Sequence, residues 1–361
     1  CLSCYSITVG SQTIPHNMNK PWHRLVVLGS DWDVYTHAFS DFIESEAIYY
    51  IPTFRPVGIS GAIQRLHLNP KLNSYLPLPG KGIWGERIVS QIKKEVKDAP
   101  VCFLILENWL RMESALQMLP KLRKSFPSAK TVCFAQDLVS RIDDMYTLQH
   151  TDTEYVKRYC DLFITFDTND AKRYDLEYFP TVFSYPRNVT DTVNDRHDMY
   201  FLGRNKGRAA LLAELCKYAN GHNLTRKFLI LEDEKDSISV PADGIRYIKK
   251  GITYEENLRN VAGCNCIVEL LQKSAASPTF RLWEAICFNK KLLTNNCSIK
   301  ESPFYDSRYV STFSSMEDID WEFVRNIAEP AFPDKNPFCE EIKPASLIRF
   351  IEKSLDIRIY Q

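Results

Sequence analysis

The segment 264–296 holds the side chains with the clearest potential for chemistry, Arg281 and Glu284. An apolar, strand-sized run opens the segment, and Ser277 and Pro278 then predict a helix start, because such residues cap and open helices. Arg281 and Glu284 would share the helix face opposite the apolar side chains. They could bind a phosphate and a sugar hydroxyl. The alternative is a solvent-facing Glu284 in a surface ion pair with Arg281, which contributes little stability.

A second group of candidate ligand-binding residues follows a predicted strand at 199–202. Its glycines and cations are Gly203, Arg204, Lys206, Gly207 and Arg208. Glycines let the backbone approach a phosphate, and the helix predicted at 209–218 has an N-terminus that attracts anions. The spacing fits neither a P-loop nor a G-x-G-x-x-G fingerprint, which disfavours a classical ATPase or dehydrogenase. The other interpretation is that these cations are only solvated.

Asp31 is the candidate general base, because a carboxylate on a loop after a strand can take a proton from an acceptor hydroxyl. The competing interpretation is that Asp31 or Asp33 caps the helix that follows. His23 and His37 are rival bases, and each is also consistent with a structural or solvated role.

Strands alternating with helices must position these residues, and this order predicts parallel, doubly wound α/β sheets. The strands predicted in the first half lie at 24–28, 48–51, 101–106, 131–135 and 161–166. Those in the second half lie at 199–202, 227–231, 246–248, 264–271 and 291–294. Open parallel sheets bind ligands at the carboxyl ends of their strands. The loops that carry Asp31, Arg204 and Thr279 are therefore predicted to lie at binding edges.

Helices are predicted between these strands, among them 34–46 and 113–125. A stretch of about thirty residues rich in Pro, Gly and Asn ends at Lys81-Gly82 and is predicted to be a functional loop. Asp167 to Asp170, after the fifth strand, predicts a helix cap. A polar cluster after the fourth strand, beginning at Gln136-Asp137, is predicted to lie at the same edge as Asp31.

The composition indicates a globular protein of more than one domain. The chain has 361 residues, equal numbers of basic and acidic residues and 11 cysteines. Zero formal charge argues against a protein held mainly by the field of a nucleic acid. Several cysteines lie in apolar patterns typical of a reducing compartment, and the single C-x-x-C of Cys1 and Cys4 lacks the second pair of a zinc site. No apolar run reaches the ~18 residues of a membrane span.

We expect three parts of the chain. Residues 1–190 form a Rossmann-like acceptor domain, residues 191–345 a Rossmann-like nucleotide-sugar domain, and residues 346–361 a C-terminal helix that packs back on the first domain. The boundary is placed by prolines and polar residues between 178 and 194.

Four motifs resemble those of bacterial GT-B glycosyltransferases of lipopolysaccharide or capsular polysaccharide biosynthesis. They are DLFITFDTNDAKRYDLEYFP, MYFLGRNKGR, PTFRLWEAICFNKKLLTNN and SPFYDSRYV. The resemblance covers roughly residues 130–325 and is strongest at 279–296. It implies two Rossmann-like domains facing across a cleft and the transfer of a sugar from a nucleotide donor to a glycan.

The resemblance also implies roles for individual residues. Arg204, Lys206 and Arg208 would face the donor diphosphate beside Gly203. Thr279 and Arg281 would support the diphosphate from the other helix start. Glu284 would hold the ribose or sugar, and the segment that ends at Tyr254 would contact the base.

The sequence departs from many retaining GT-B enzymes, which carry two glutamates separated by seven residues. Ala276 stands eight residues before Glu284, and the nearest earlier glutamate, Glu269, lies inside a predicted strand. The stereochemistry of transfer therefore stays open. We expect no metal or other cofactor, because helix dipoles and cations can stabilise a leaving diphosphate.

The predicted function is glycosyl transfer from a UDP- or GDP-sugar to a glycan or lipid-linked acceptor. We expect a cytoplasmic protein with peripheral association at the inner membrane face and no nucleic-acid partner. The alternatives are a non-catalytic GT-B-like subunit or chaperone of a transferase and, less favoured, a nucleotide-sugar epimerase.

Overall fold

The computed structural model of the protein contains two separate parallel sheets. The structure describes residues 21–31, 33–44, 48–53, 58–185, 189, 195–232, 240, 242–271, 279–325 and 332–360. The predicted boundary between residues 190 and 191 lies outside these ranges. None of the described helices is long and apolar enough to cross a membrane.

The first sheet has seven strands. They are β1 (Trp22–Gly29), β2 (Tyr49–Pro52), β3 (Val101–Leu106), β4 (Lys130–Ala135), β5 (Leu162–Thr165), β6 (Glu177–Tyr178) and β13 (Arg358–Ile359). Their order is β13-β1-β3-β4-β5-β6, with β2 also paired to β1, and every pair is parallel. Its helices are α1 (Asp33–Ala38), α2 (Ser40–Glu44), α3 (Gly58–His67), α4 (Pro70–Tyr75), α5 (Gly82–Val96), α6 (Glu107–Leu110), α7 (Glu113–Leu116), α8 (Met118–Ser125), α9 (Thr153–Tyr159) and α10 (Thr168–Tyr174).

The second sheet has six strands. They are β7 (His197–Arg204), β8 (Arg226–Leu231), β9 (Ile245–Ile248), β10 (Cys264–Glu269), β11 (Lys291–Thr294) and β12 (Val310–Thr312). Their order is β12-β11-β10-β7-β8-β9, again parallel throughout. Its helices are α11 (Ala209–Gly221), α12 (Tyr254–Gly263), α13 (Phe280–Phe288) and α14 (Trp321–Arg325), and α15 (Pro344–Leu355) follows.

Both faces of each sheet are buried, as the doubly wound prediction requires. Every side chain of β3 is buried, which is typical of a strand covered on both faces. Phe103 and Ile105 enter one core, and Cys102 and Leu104 enter the core on the other face, because side chains alternate along a strand. The predicted fold class is confirmed.

The C-terminal helix returns to the first sheet. Leu347, Ile348 and Ile351 of α15 are buried in the same core as Leu25 and Val27 of β1. Strand β13 then pairs with the amino end of β1. The C-terminal segment thus crosses back from the second half of the molecule to the first, as the fold prediction stated.

The predicted loop before Lys81 is largely helical, so that prediction was wrong. Helices α3 and α4 occupy much of it, whereas residues 54–57 lie outside the described ranges. Asn69 caps α4 by accepting a hydrogen bond from the Leu72 amide, and Pro70 occupies the first helical position. Asparagine and proline therefore mark a helix start here rather than a loop.

Other helix boundaries also differ from the predictions. The helix predicted at 113–125 is split into α7 and α8 at Gln117, whose φ is +52°. The predicted cap at Asp167 is confirmed, because its carboxylate accepts the amides of Asn169 and Asp170. Residues 277 and 278 lie outside the described ranges, and the cap of α13 is Thr279, two residues later than predicted.

Candidate functional site

Residues from both sheets line a cavity of about 450 Å³. On the side of the first sheet they are Asp31, Asp33 and Val34. On the side of the second sheet they are Leu202, Ile252, Thr253, Tyr254, Asn257 and Arg281. The volume suits a small-molecule ligand. The cavity lies at the carboxyl ends of β1 and β7, where open parallel sheets bind ligands.

Arg281 enters the cavity from the first turn of α13. Its Nη1 donates to the Glu284 carboxylate and, at 3.3 Å, to Asn257 Oδ1. Its Nη2 donates to the Leu202 carbonyl oxygen at 3.1 Å. The side chain keeps 18% of its surface exposed. The guanidinium is therefore fixed in orientation while part of it stays accessible.

Glu284 lies beneath Arg281 and is 0% exposed. Its Oε1 accepts from Tyr254 Oη at 3.1 Å and from Asn257 Nδ2 at 2.8 Å, and its Oε2 pairs with Arg281. Burial, followed by the Glu284 charge, raises the pKa of Tyr254 well above its ordinary value. The solvent-facing alternative for Glu284 was wrong, because three polar side chains enclose its carboxylate. In this arrangement Glu284 orients Arg281 and has no surface to offer a ligand.

Thr279 supports the same helix from its N-terminus. Its Oγ1 accepts the Arg281 amide at 3.2 Å and donates to Glu269 Oε1 at 2.5 Å. The other oxygen of Glu269 accepts from Thr294 Oγ1 at 2.7 Å. Glu269, which is buried, thus ties the start of α13 to the ends of β10 and β11. Thr279 contributes to the site through this cap.

The basic loop after β7 is a tight turn. Lys206 and Gly207 have φ values of +42° and +78°, and the Arg208 amide donates to the Asn205 carbonyl oxygen at 2.8 Å. Two positive φ values in succession are typical of a type I′ turn. Asn205 Oδ1 also accepts the first amide of α11, that of Ala209, at 3.2 Å.

The Arg208 side chain donates to backbone carbonyl oxygens and is not part of the cavity lining. Its Nη1 donates to the Leu270 carbonyl oxygen at 2.8 Å and its Nη2 to that of Arg204 at 2.5 Å. The guanidinium carbon also lies 5.4 Å from the centre of the Phe201 ring. A Cβ on Gly203 would lie 3.0 Å from that ring and 3.1 Å from Arg208 Nη2, so glycine leaves the space this clamp needs.

The predicted phosphate-binding cations are only partly brought together. Arg281 lines the cavity, whereas Arg204 and Lys206 are exposed outside its lining. Arg208 and Arg281 reach carbonyl oxygens two residues apart on β7. Burial and then the like charge of Arg281 lower the pKa of Arg208. The diphosphate contacts expected of Arg204, Lys206 and Arg208 stay predictions.

Asp31 faces this network across the cavity. Its Oδ1 accepts from Thr53 Oγ1 at 3.3 Å, and Thr53 follows β2. Asp33 is the acidic residue in the first turn of α1. The carboxyl ends of β1 and β2 therefore hold Asp31 at the cavity wall, while Asp33 lies at the helix start beside it.

The two rival histidines have structural partners. His23 Nδ1 lies 3.2 Å from the Arg358 carbonyl oxygen, at the amino end of β1 and away from the cavity. His37 Nε2 lies 3.0 Å from the Ser184 carbonyl oxygen, and its ring centre is 5.4 Å from that of Tyr254. His37 thus joins α1 to α12 beside the cavity.

Glu107 is a titratable group that the sequence did not single out. It is buried at the carboxyl end of β3, with Oε1 3.4 Å from Arg111 and Oε2 without a hydrogen-bond partner. Burial, partly offset by Arg111, raises the pKa of Glu107 to about 7. Arg111 also lies 3.6 Å from Asp137, so the polar cluster after β4 does reach the edge that carries Asp31.

The sequence patterns did not point to Asn257, and they placed Glu269 inside a predicted strand without giving it a role. Glu269 lies in an apolar strand, and Asn257 lies on the buried face of α12 with Leu258 and Val261. A polar residue in such a position is the signal that could have drawn attention to both. Among the described residues no group of three His, Cys, Asp or Glu side chains could hold a metal ion. The expectation of metal-free and cofactor-free chemistry stays a prediction.

The chain matches no family model and no curated protein sequence. Its fold matches an α-glucosyltransferase in complex with UDP and a 13-mer DNA containing a HMU base, with a TM-score of 0.53, 10% identity and coverage of 93% of this chain and 99% of that one. It also matches a trehalose-6-phosphate synthase, with a TM-score of 0.53, 8% identity and coverage of 92% and 99%. A third match is an α,α-trehalose-phosphate synthase (UDP-forming) from Burkholderia vietnamiensis, with a TM-score of 0.50, 10% identity and coverage of 93% and 98%.

These likenesses extend over nearly the whole length of both chains and concern the fold. The chain therefore has the two-sheet α/β fold of GT-B glycosyltransferases. None of the three points to lipopolysaccharide or capsule synthesis, and that finer expectation stays a prediction.

Proposed function

We propose that the chain is a glycosyltransferase that moves a sugar from a nucleotide-sugar donor to a glycan or lipid-linked acceptor. The observation that carries the proposal is the cavity between the sheets, where an oriented arginine on one wall faces a carboxylate on the other. A leaving diphosphate needs a fixed cation, and an attacking hydroxyl needs a proton acceptor.

The donor would bind on the wall formed by the second sheet. Arg281 would contact the diphosphate with the guanidinium N–H groups that are not bonded to Glu284, Asn257 or Leu202. The N-terminus of α13 lies beside Arg281 and favours negative charge. Ile252 and Tyr254 supply apolar and aromatic surface for a base. Because the α-glucosyltransferase of similar fold is in complex with UDP, UDP-sugars are the first donors to test.

The acceptor would approach from the wall formed by the first sheet. Its hydroxyl oxygen forms a bond to the anomeric carbon of the donor while the bond from that carbon to the diphosphate oxygen breaks. Asp31 takes the hydroxyl proton, and the nucleoside diphosphate leaves with the bonding electron pair. Arg281 stabilises the charge that develops on it.

The proposal places the reaction at the cytoplasmic face of a membrane, in surface polysaccharide synthesis. It is supported by the motif resemblance over residues 130–325, which is strongest at the helix that carries Arg281. Arg204 and Lys206, at the rim of β7, are proposed to reach the diphosphate only after the donor has bound.

A donor screen by isothermal titration calorimetry tests the proposal. UDP-, GDP-, dTDP- and CMP-sugars, with free UDP and GDP, are titrated into the full chain, and at least one donor is expected to bind. Arg281→Gln should weaken its binding by roughly tenfold or more, because a charge-assisted contact is lost. The matched control is Arg259→Gln, an exposed arginine on α12 that pairs with Glu255. Binding by none of these ligands would contradict the proposal, as would equal losses in both variants.

A second candidate is a non-catalytic subunit or chaperone of an active transferase. It is favoured by the burial of Glu284, because a fully buried carboxylate cannot contact a donor directly. This candidate predicts that Asp31→Asn leaves the cellular glycan intact. Loss of the glycan with a normally folded Asp31→Asn protein rejects it. An epimerase, the weaker alternative, would yield a new free nucleotide-sugar with no acceptor consumed, so product analysis of the same reaction separates it.

A further inference from the structure

Exposed hydrophobic side chains are concentrated on one part of the first half. Of the nine large hydrophobic residues that are exposed in the described chain, six are between 55% and 91% exposed and come from α3, α4, the start of α5 and a nearby turn. They are Ile63, Leu66, Tyr75, Leu76, Ile83 and Leu148, and we call them the α3–α5 surface. A group of exposed apolar side chains on neighbouring elements is a candidate interaction site.

The elements of the α3–α5 surface are tied into one unit. The His67 ring lies 2.8 Å from the Pro79 carbonyl oxygen and accepts from Trp84 Nε1 at 2.9 Å, which joins α3 to α5. Asn73 Oδ1 accepts the Leu78 amide at 3.0 Å. Tyr146 Oη donates to the Leu68 carbonyl oxygen at 2.6 Å and brings the turn with Leu148 alongside. These hydrogen bonds therefore fix the helices and the turn that carry the exposed hydrophobic side chains.

Basic residues predominate in this region, although the turn with Leu148 carries the exposed Asp143. No Asp or Glu occurs between Glu46 and Glu86, although acidic residues make up 45 of the 361 residues, a frequency that would place about five in this interval. Arg65, Lys71 and Lys81 lie among the exposed hydrophobic residues. These three cations, set against Asp143, leave the α3–α5 surface with a net positive charge, whereas the chain as a whole has zero formal charge.

We propose that the α3–α5 surface docks on an anionic lipid bilayer. Apolar side chains flanked by lysine and arginine are what an interfacial protein inserts into the boundary between headgroups and acyl chains. Each cation near an anionic leaflet adds attraction of its own. A second copy of the chain fits less well, because two surfaces with the same positive charge would repel each other.

Membrane docking specifies which surface would contact the membrane that the proposed function names, and it does not depend on sugar transfer. Helix α3 follows β2, whose end supplies the Thr53 that holds Asp31. Docking would therefore place a lipid-linked acceptor beside the wall of the cavity that carries the proposed base.

Vesicle co-sedimentation tests this proposal with the full chain. We expect binding to vesicles of phosphatidylcholine with one quarter phosphatidylglycerol and little binding to pure phosphatidylcholine. Leu66→Ser with Leu76→Ser should reduce the partition constant roughly tenfold or more, since apolar burial drives insertion. Arg65→Gln with Lys71→Gln should reduce it by about fivefold per charge, and this loss should shrink at high salt.

The matched control is Tyr360→Ser, which removes an exposed aromatic residue beside the amino end of β1. It should bind vesicles like the parent chain. No sedimentation with anionic vesicles overturns the proposal, and so does an equal loss in the control.

Sedimentation velocity tests the alternative that a second copy of the chain occupies the α3–α5 surface. Concentration-dependent dimers abolished by the double serine variant, without vesicle binding, would assign the surface to self-association. A normal donor titration in the double serine variant would show that loss of docking is separate from loss of the proposed activity.

Discussion

Glu284 illustrates how one residue's role depends on its surroundings. Its carboxylate is enclosed by Arg281, Tyr254 and Asn257, which approach from two helices. A buried carboxylate of this kind acts on a ligand through the cation that it orients.

Glu284→Gln should destabilise the fold by about 3–5 kcal/mol, because it leaves Arg281 partly buried beside a neutral side chain. It should also weaken donor binding. The measurement is a double-mutant cycle, in which donor affinity is compared for Glu284→Gln in the parent chain and in Arg281→Gln. The effect of Glu284→Gln should vanish in the Arg281→Gln background. An undiminished effect there would mean that Glu284 contacts the donor directly.

Glu107 should make stability depend on pH. Its folded-state pKa is raised by burial to about 7, so the folded state holds a proton that the unfolded state releases at lower pH. Stability from this group is therefore complete below the ordinary glutamate pKa and is lost as pH rises towards 7. The side chain of the Glu107→Gln variant cannot titrate. As pH rises from the ordinary glutamate pKa to 7, the parent should therefore lose about 3 kcal/mol of unfolding free energy that the variant keeps. Urea denaturation from pH 4.5 to 8 measures it, with the exposed Glu86→Gln as control. Parallel curves for Glu107→Gln and the parent would contradict it.

At the scale of elements, the strand ends of the second sheet are held in place by side chains that the sequence analysis predicted to bind the donor. Arg208 joins β7 to the end of β10, and Thr279 with Glu269 joins α13 to β10. These contacts fix where Arg281 stands.

Gly203→Ala tests the Arg208 clamp. The new methyl group would lie 3.0 Å from Phe201 and 3.1 Å from Arg208, and we expect a loss of about 1–3 kcal/mol through overpacking. Gly221→Ala, at the end of α11, meets no atom within 4 Å and should be neutral or stabilising by about 0.4–1 kcal/mol. Thermal unfolding of both variants checks the opposite signs. Equal effects would show that the clamp does not depend on the glycine.

The positions of most strands along the chain were predictable, because each of these strands is a short apolar run between helical patterns. The helices α3 and α4 were not, because their asparagine and proline also occur in turns. The split at Gln117 was hidden for a different reason. It rests on the Glu113 carboxylate, which accepts the amides of Met118 and Leu119 and so replaces bonds of a continuous helix.

At the scale of the whole molecule, the two halves meet around the cavity. Tyr35 of α1 packs edge-on against Phe280 of α13, with ring centres 5.9 Å apart. His37 packs against Tyr254 of α12. Strand β13 and helix α15 then bind the end of the chain to the first sheet.

Ile351→Ala should therefore destabilise the first half although it lies after the second in sequence. The side chain is fully buried among residues of β1 and β3, and its truncation should cost about 2–5 kcal/mol. Hydrogen exchange should be faster in β1 than in the parent chain. Lys353→Ala, on the exposed side of α15, is the control. Unchanged protection of β1 would contradict the packing described.

Local patterns in the sequence determined the parallel strands, the two doubly wound sheets and the strand ends at which a site would form. They could do so because strand and helix periodicity, caps and apolar runs depend on residues a few positions apart. Only the tertiary structure decided that Glu284 is buried, that Arg208 binds carbonyl oxygens and that Asp31 faces Arg281. Those outcomes depend on neighbours far away in sequence, such as Asn257 for Glu284, and a side chain's charge and exposure follow from them.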